Sequence, residues 1–422
     1  MKSEQRPSDV RYIIGLCLVL VLGVFLRLPS TLFSIDEGGS FRALSAFHPA
    51  PGFTKIGFDE GLYRGYVNDL IRYGVTAYPD FAEHYVEVQT TLPSAILPPT
   101  RFLYIFASYL WHCVVGSDAL ASLHDISSLF GILLLGLATL FAWRLGGPLM
   151  ALCVAALMAC APTQIHMTQH ALIDGFFAFW ATLCLWLLWE NLRQPRRVGW
   201  LCGFGAALAL LVVTKENAMF VYIGLLGLLA ANHWLRFGTI TRGLLVTMVI
   251  GPLVGVVLLV NLCGSLQTTF RIYMLLVSKA SVLPYAIATG DGPWYRYLVD
   301  LMIMSPVVLV LAIGAIFQLK LSDRAAVYVL TFVVASYVLM ANVRYGMNLR
   351  YANIWDTPLR YLATLSLMRT SDACGKRSNL VLALMIAVVC AVELRQYVIF
   401  FVEHDLYELV TAGLLHAINI LK

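Results

Sequence analysis

The sequence contains very little charge. Asp, Glu, Lys and Arg make up 13% of its 422 residues, whereas 60% are hydrophobic, and the mean hydropathy is +0.79. Soluble globular domains carry about 25% charged residues because their surface lies in water, so a soluble enzyme or binding domain is excluded. Repeated apolar runs of about 17–25 residues match the length with which an α-helix crosses a bilayer. The sequence therefore predicts an all-α polytopic membrane protein.

Cysteine pairs at metal or redox spacing are also missing. None of the nine cysteines forms a C-x-x-C pair, and six of them lie inside apolar runs, where cysteine behaves as a small hydrophobic residue. A zinc cluster, a redox motif or a disulfide framework has little support from this spacing. The formal net charge of +5 does not indicate a nucleic-acid partner, because much of the Lys and Arg lies in short loops between the apolar runs. No nucleic-acid partner is expected.

The first apolar segment, residues 12–28, has two interpretations. Basic residues precede it, as in a signal peptide, but it lacks a small-residue cleavage site and continues directly into Arg27-Leu28-Pro29. We therefore interpret it as a retained first span.

The apolar run at residues 102–115 decides the topology. It is about 14 residues long and contains a serine and a histidine, which favours an interfacial helix over a span. If this run stays outside the bilayer and the N-terminus is cytoplasmic, most short basic loops lie on the cytoplasmic side, as the positive-inside rule requires. Counting the run as a span would place Arg193, Arg196 and Arg197 outside, so we reject that alternative.

We expect a single integral membrane domain, residues 1–422, with about eleven spans. A first outer loop covers residues 29–122 and contains amphipathic interfacial helices, a second covers residues 263–297, and residues 402–422 form an outer C-terminal tail. No internal repeat is visible, and charges concentrate at the span ends. The predicted spans are residues 12–28, 123–143, 149–166, 174–190, 198–214, 217–234, 243–262, 298–318, 325–342, 353–368 and 379–401.

The first outer loop contains an amphipathic helical pattern at residues 60–73, followed by Gly74 as a candidate C-cap. This pattern predicts a helix lying in the membrane interface. The helix would start directly at Asp59 and Glu60, and its N-terminus would bring backbone N–H donors close to Asp59. The apolar positions of the pattern are Leu62, Tyr66, Leu70 and Tyr73.

Under this topology, four groups of polar residues converge on the outer face. Each has a simpler explanation: Asp174 could cap its helix, Lys215 could pair with Glu216, and the arginines could contact lipid headgroups. Convergence favours chemistry, because two carboxylates from different loops can bind a divalent cation or activate a hydroxyl, and nearby cations hold phosphate oxygens. The groups are Asp59-Glu60; His166, His170 and Asp174; Thr214-Lys215-Glu216-Asn217; and Arg271, Lys279, Arg344 and Arg350.

Several short motifs follow one another in a recognisable order and sidedness. They are FDEGLYR at residues 58–64, Gly74 with Tyr78-Pro79, Leu97-Pro98-Pro99, Ala161-Pro162, HALID at residues 170–174, Thr214-Lys215-Glu216, and NLRY at residues 348–351. Together they resemble the GT-C superfamily of membrane glycosyltransferases. The resemblance is to the bacterial enzymes related to the protein O-mannosyltransferases (glycosyltransferase family 39) and to the lipid A aminoarabinose transferase.

The resemblance implies roles for individual residues. Asp59 corresponds to the general base, Asp174 to a residue that binds metal or positions the acceptor, with Glu60 as a third catalytic candidate, and Lys215 to a residue that binds the donor phosphate. Where aminoarabinose transferases carry a lysine before Pro-Pro, this chain has Leu97, and Arg101 is the candidate replacement. The further candidate substrate-binding residues are Arg64, Arg101, Glu216, Arg271, Arg350 and Tyr351.

The implied function is transfer of a sugar from a polyprenyl-phosphate donor to a hydroxyl of an envelope lipid, glycan or protein, with inversion. The implied place is a bacterial plasma (inner) membrane, with the active site facing the periplasm and membrane lipids as neighbours. A divalent metal ion (Mg, Mn or Zn), held by Asp59, Asp174 and His170, is the cofactor to be tested.

Three alternatives remain at this point. A polytopic transporter or lipid flippase would favour mid-span charges, broken helices and repeated halves, and a membrane scaffold would lack catalysis. Asp36-Glu37 competes with Asp59-Glu60 as the catalytic pair because it lies closer to the first span. We favour Asp59, because it is followed by Tyr63-Arg64 and the amphipathic pattern.

Overall fold

The computed structural model describes residues 9–35, 38–49, 56–280, 292–343 and 347–421. These residues are predominantly helical and include no β-strand, so the predicted all-α class is confirmed. Asp36 and Arg344, both candidates from the sequence, lie outside the described residues.

Seventeen α-helices follow one another through the described residues, joined by short connections and single 3₁₀ or π turns. In chain order they are α1 (Asp9–Arg27), α2 (Phe58–Tyr73), α3 (Tyr78–Thr91), α4 (Phe102–Val115), α5 (Ala119–Ala159), α6 (Pro162–Gln169), α7 (Ile173–Arg193), α8 (Val198–Val212), α9 (Ala218–Leu235), α10 (Arg242–Leu262), α11 (Leu266–Ala280), α12 (Arg296–Met304), α13 (Pro306–Gln318), α14 (Arg324–Met340), α15 (Asp356–Asp372), α16 (Ser378–Tyr397) and α17 (Thr411–Ala417).

In the part of the chain that the structure describes, five helical segments are long and apolar enough, by length and composition, to cross a membrane. Each of the eleven predicted spans coincides with a helix or with two consecutive helices. The short run at residues 102–115 is the helix α4, one of several apolar helices in the described residues that are shorter than these five segments. The five segments are Ala119–Ala159, Ile173–Arg193, Ala218–Leu235, Arg242–Leu262 and Gly375–Glu403.

A proline marks each of two breaks in the helices. Gly147 adopts φ 84° inside α5, and Pro148 has no N–H to continue the helical ladder, so α5 divides into two arms. The first arm matches the predicted span 123–143, and the second arm together with most of α6 covers the predicted span 149–166. The predicted span 298–318 is likewise two helices, because Ser305 is non-helical and Pro306 starts α13.

The sequence predicts that charges concentrate at the span ends, but the structure also places charged residues within the predicted spans. Arg360 and Glu393 lie inside predicted spans and are buried. Arg360 donates hydrogen bonds to Asp356, to Glu393 Oε2 at 2.6 Å and to the Leu157 carbonyl at 3.0 Å. The prediction failed here because one charged residue in a long apolar run hardly lowers the mean hydropathy of that run. The two opposite charges are tolerated inside the protein because they pair with each other.

The inner face of helix α2 packs against protein and not against a membrane surface. Its buried residues are Glu60, Tyr63, Val67 and Leu70, and the Tyr63 ring lies edge-on to Tyr104 of α4, with 5.2 Å between ring centroids. Of the predicted apolar face only Leu70 is fully buried, and Tyr73 is exposed. Gly74 ends the helix at φ 77°, as expected.

The segment after α16 turns back towards the start of α2. The Leu349 N–H donates to the Leu409 carbonyl at 3.0 Å, which ties the two stretches together. A Cβ on Gly57 would lie 2.3 Å from the Tyr407 ring, so only glycine fits at this contact. The C-terminal segment thereby reaches the residues that precede Asp59.

Candidate active site

Asp59 and Arg350 meet although 291 positions separate them in the chain. Asp59 lies in the first turn of α2, with 16% of its side chain exposed, and its Oδ2 accepts a hydrogen bond from Arg350 Nη2 at 3.1 Å. Arg350 is 4% exposed and precedes the short helical turn Tyr351–Trp355. Asn348 Oδ1 accepts from the Arg350 backbone N–H at 2.9 Å, which fixes the backbone that presents the guanidinium.

Arg350 is shared among three carboxylates. Besides Asp59, Glu408 Oε2 lies 3.5 Å from its Nη2, and Asp174 Oδ2 lies 4.0 Å from its Nε. The Tyr407 ring centroid is 5.6 Å from the guanidinium carbon. One buried cation thus joins the first loop, the start of α7 and the C-terminal segment.

Asp174 extends this chain of charges to Lys215. Lys215 Nζ donates to Asp174 Oδ1 at 2.6 Å, and both side chains are buried. The Lys215 ammonium also lies 4.6 Å from the centroid of the Tyr351 ring. Burial lowers the pKa of Lys215, and the Asp174 carboxylate offsets only part of that effect.

Neither simpler explanation for this pair holds. The N-cap position of α7 is Leu172, without a side-chain cap, so Asp174 is not the capping residue. Lys215 pairs with Asp174 rather than with the adjacent Glu216. Asp59, Arg350, Asp174 and Lys215 therefore form one continuous ionic chain, which together with Glu408 we call the site network.

Glu216 and Arg101 form a second pair beside it. Arg101 donates from Nε to Glu216 Oε2 at 3.1 Å and from Nη2 to Glu216 Oε1, and from Nη1 to the Tyr63 hydroxyl at 2.7 Å. Burial alone would raise the pKa of Glu216, but the charge and hydrogen bonds of Arg101 outweigh it and lower that pKa. Arg101 therefore holds the start of α9 against α2.

Glu60 faces inward and is fully hydrogen-bonded. Its Oε2 accepts from the Gly57 N–H at 2.7 Å, and its Oε1 accepts from the Ala171 N–H at 2.8 Å and lies 3.1 Å from His170 Nδ1. Burial would raise the pKa of Glu60, but the hydrogen bond and charge of His170, the charge of His124 and the Gly57 N–H lower it to about 2. Glu60 thus anchors the first turn of α2 to the loop before α7 and fixes where Asp59 stands.

Two predicted substrate-binding arginines lie apart from the site network. Arg64 on α2 and Arg271 on α11 are both exposed, and no contact among the described residues joins either of them to the network. The sequence could not distinguish these two arginines from Arg350, because all three were selected only by their positive charge and by their predicted position on the outer side.

The expected metal set does not assemble. Among the described residues, no three His, Cys, Asp or Glu side chains lie close enough together to hold a metal ion. Arg350 and Lys215 already bind the oxygens of Asp59 and Asp174, and His170 faces Glu60. Because cations occupy the positions that a divalent ion would need, these residues do not fit a metal site.

The C-terminal segment supplies residues that the sequence reasoning missed. Glu408 accepts from Asn348 Nδ2 at 2.5 Å as well as approaching Arg350. The Tyr407 hydroxyl is buried and has no hydrogen-bond partner within the described part of the chain. A signal was present, because the acidic and aromatic stretch at residues 403–408 follows the last predicted span on the outer side.

Comparison with known proteins relates this architecture to a known fold. The family model of dolichyl-phosphate-mannose-protein mannosyltransferases matches residues 122–289. ArnT from Cupriavidus metallidurans in the apo state has 16% sequence identity and a TM-score of 0.54, with 88% of this chain and 62% of ArnT covered. The apo oligosaccharyltransferase of Archaeoglobus fulgidus has 14% identity and a TM-score of 0.61, with 94% and 56% covered.

The chain has the GT-C fold. The resemblance predicted from the motifs is thereby confirmed. A second ArnT structure, bound to undecaprenyl phosphate, matches with 13% identity and a TM-score of 0.50, over 98% of this chain and 77% of that one. No curated protein matches the chain by sequence.

The extent of the family-model match separates the site residues into two sets. Asp174, Lys215 and Glu216 lie within the matched residues 122–289, whereas Asp59 and Arg350 lie outside them. The chain spans 62% of the ArnT chain and 56% of the A. fulgidus chain. The network therefore links the family-matched core to the flanking segments.

Proposed function

We propose that the protein is an inverting glycosyltransferase that moves a sugar from a polyprenyl-phosphate donor to a hydroxyl of a lipid, glycan or protein acceptor. The reaction takes place at the outer face of a bacterial plasma membrane, and the N-terminus is cytoplasmic. The observation that carries the proposal is the Asp59–Arg350–Asp174–Lys215 chain, which links a partly exposed carboxylate to two buried cations. The undecaprenyl phosphate bound by ArnT, which shares the fold, supports the donor class.

The two cations take the donor phosphate. The phosphodiester of a polyprenyl-phosphate sugar carries one negative charge and two unsubstituted oxygens, so it can bind the Arg350 guanidinium in competition with Asp59 and Glu408. Lys215 approaches from the other side, held by Asp174 at 2.6 Å. As the bond between the anomeric carbon and the phosphate oxygen breaks, these cations stabilise the negative charge that develops on the lipid phosphate.

Asp59 takes the proton of the acceptor. It is the more accessible of the two carboxylates, with 16% of its side chain exposed against 3% for Asp174. Once the phosphate draws Arg350 away, Asp59 is free to accept the hydroxyl proton while the acceptor oxygen attacks the anomeric carbon. Attack on the face opposite the departing phosphate inverts the configuration.

One pair of variants tests the assignment. Asp59→Asn keeps the size of the side chain and removes its basicity, so sugar transfer falls at least about 100-fold while thermal unfolding in detergent is unchanged. Asp36→Asn is the matched control and retains transfer. Normal transfer by Asp59→Asn together with loss in Asp36→Asn would move the base to the earlier pair.

Mass spectrometry of envelope lipids and glycans, with and without the protein, identifies donor and acceptor class. The sugar residue that is missing without the protein then supplies the transfer assay. If no glycan, lipid or protein changes and purified protein transfers nothing from any polyprenyl-phosphate sugar, the enzyme assignment is wrong.

A lipid flippase is the second candidate, because buried Arg360 and Glu393 and the break at Ser305 are features of transporters. Lipid flipping that survives Asp59→Asn at the wild-type rate would favour it. Under the glycosyltransferase proposal, that variant loses transfer and no flipping is measured in either protein.

A further inference from the structure

A polar cavity lies at the end of α7 that is far from the candidate active site. Its volume is about 480 Å³, and its wall includes Arg144, Arg193 and Arg324. Asp174 occupies the first turn of α7, and Trp189 and Arg193 occupy its last turn, so the rise of 1.5 Å per residue separates cavity and site by about 25 Å. The cavity is therefore not part of the transfer site.

Three separate elements bring the arginines to this cavity. Arg144 lies near the end of the first arm of α5, Arg193 in the last turn of α7, and Arg324 at the start of α14. The first backbone N–H groups of a helix such as α14 have no partner within the helix and favour anions. Cations from three segments thus surround one concavity.

Arg144 is held in place by a buried carboxylate. Its Nε and Nη2 donate to the two Glu190 oxygens at 2.6 and 2.7 Å. Trp186 Nε1 and Gln194 Nε2 also donate to Glu190, each at 3.0 Å. Because Glu190 is saturated by these donors, it does not neutralise the other two arginines.

Arg193 and Arg324 leave a surplus of positive charge. Both are exposed, and the Arg193 guanidinium carbon lies 5.5 Å from the centroid of the Trp189 ring, which restricts its position. Three guanidinium groups against one carboxylate leave two positive charges facing a cavity whose volume suits a small ligand. The complementary ligand is a phosphate-bearing anion.

The simpler explanation is that these arginines only follow the positive-inside rule. Arg196 in the connection between α7 and α8 is an internal comparison, because it is exposed and does not line the cavity. Topology alone explains a residue such as Arg196. It does not explain three guanidinium groups on one concave wall, one of them fixed by a buried partner.

Exposed apolar residues near the cavity in sequence indicate where the phosphate comes from. Trp143 precedes the lining residue Arg144, and Val198 starts α8 shortly after the lining residue Arg193; both are large apolar residues that are exposed. Exposed tryptophan beside arginine is typical of the level of the lipid headgroups. We propose that this cavity binds the phosphate headgroup of an anionic phospholipid.

Native mass spectrometry of the full-length protein in nanodiscs measures the binding. The discs contain phosphatidylcholine with a minor fraction of phosphatidylglycerol, and the lipid that remains bound on release is identified. Wild-type protein retains phosphatidylglycerol in preference to phosphatidylcholine. In the double variant Arg193→Gln/Arg324→Gln its apparent affinity falls about 10- to 30-fold, because each basic residue near the headgroup contributes separately.

The matched control is Arg196→Gln/Arg197→Gln, which removes the same charge from the same end of the molecule and changes the affinity less than about twofold. Arg144 is left intact, because its loss would strand the buried Glu190 charge. Thermal unfolding without phosphatidylglycerol checks that both double variants are folded.

Three outcomes would overturn the assignment. Equal retention by the wild-type protein and the Arg193/Arg324 variant would mean that the cavity is not the site. Equal loss in both double variants would reduce the effect to general charge. Displacement of phosphatidylglycerol by millimolar inorganic phosphate would assign the cavity to a soluble anion instead of a lipid.

Discussion

The site network and the ionic cluster around Arg360 are built from the same groups but are closed to different degrees. In the cluster, which we call the core network, Arg360 contacts Asp356, Glu393 and the Leu157 carbonyl, and Ser305 Oγ donates to Glu393 at 2.9 Å. In the site network, Asp59 and Glu408 keep 16% and 31% of their side chains exposed.

The difference lies in what each network leaves available to a ligand. The core network joins α5, α15 and α16 inside the bundle, and the side chains of Arg360 and Glu393 have almost no exposed surface. In the site network, three carboxylates surround the Arg350 guanidinium, at 3.1 Å for Asp59, 3.5 Å for Glu408 and 4.0 Å for Asp174. Closed ionic networks fix helices in place, whereas a partly open one with competing partners can exchange one of them for a substrate.

Breaking the core network produces the largest loss of stability. Arg360→Met leaves Asp356 and Glu393 buried without their cation, which lowers the free energy of unfolding by about 3–5 kcal/mol. Thermal and denaturant unfolding in detergent measure it. The control is Arg369→Gln, which breaks a partly exposed pair with Asp323 and costs about 1 kcal/mol or less. Equal losses of unfolding free energy in the two variants would show that the buried ion pairs stabilise the fold no more than a partly exposed one.

Removing a cation from the site network affects transfer more than stability. Lys215→Gln loses the ammonium that we propose stabilises the departing phosphate, so we expect kcat to fall about 100-fold. Arg350 remains near Asp174 at 4.0 Å, so the carboxylate keeps a cation and unfolding shifts less than in Arg360→Met. A steady-state assay with the polyprenyl-phosphate sugar measures kcat. An unchanged kcat with a large loss of stability would make Lys215 a structural residue.

Glu60 is buried and fully hydrogen-bonded, although it lies next to Asp59 of the partly exposed site network. Glu60→Gln lowers the free energy of unfolding by about 1–3 kcal/mol at pH 7, because it removes a charged acceptor of buried hydrogen bonds. Folding lowers the pKa of Glu60 from 4.5 to about 2, so its contribution is fully present above pH 4.5 and is lost as pH falls towards 2.

Unfolding temperatures of the wild type and Glu60→Gln, measured between pH 7 and pH 3, check this dependence. The gap between the two proteins narrows over the acidic part of the range. A gap that stays constant down to pH 3 would show that the hydrogen bonds, and not the charge, account for it.

The smallest effect is expected at the most exposed carboxylate. Glu408→Gln removes a charge 3.5 Å from Arg350 but keeps an oxygen for Asn348. Donor phosphate then competes with one carboxylate fewer, and its affinity rises about two- to fivefold. Binding of undecaprenyl phosphate measures this without turnover. Glu403→Gln, which alters an exposed pair with Arg395, is the control, and a weaker affinity in Glu408→Gln would instead make Glu408 part of the binding site.

Sequence reasoning reached the helices because bilayer thickness fixes their length and apolar content. It placed the acidic loop, Asp174 and Lys215 on one side through the arginine-bearing loops, and the structure joins these residues in one network. It gave no partner for Asp59, since Arg64, Arg271 and Arg350 were equivalent by charge. Only the packing of residues 347–355 against the start of α2 distinguishes Arg350.

Other features depend on contacts that no local pattern contains. The period of α2 predicted a helix but could not tell whether its apolar face meets lipid or protein, so Tyr63 and Val67 were missed as buried positions. Glu60 looked equivalent to Asp59 because the two are adjacent, yet a rotation of about 100° per residue in a helix points them in different directions. Arg360 and Glu393 were hidden because two opposite charges in separate helices do not register in a hydropathy window.

The glycine contact at Gly57 has a consequence for the order in which the molecule is assembled. The first turn of α2 leaves the ribosome early, but the Tyr407 ring that covers Gly57 and the Arg350 that holds Asp59 are synthesised hundreds of residues later. Early segments can form helices as soon as they emerge, yet Arg350 is synthesised only just before the last two predicted spans, and Tyr407 follows those spans. The site network is therefore completed only after most of the bundle has been synthesised, and under the proposed function a partly synthesised chain lacks residues that bind the donor lipid.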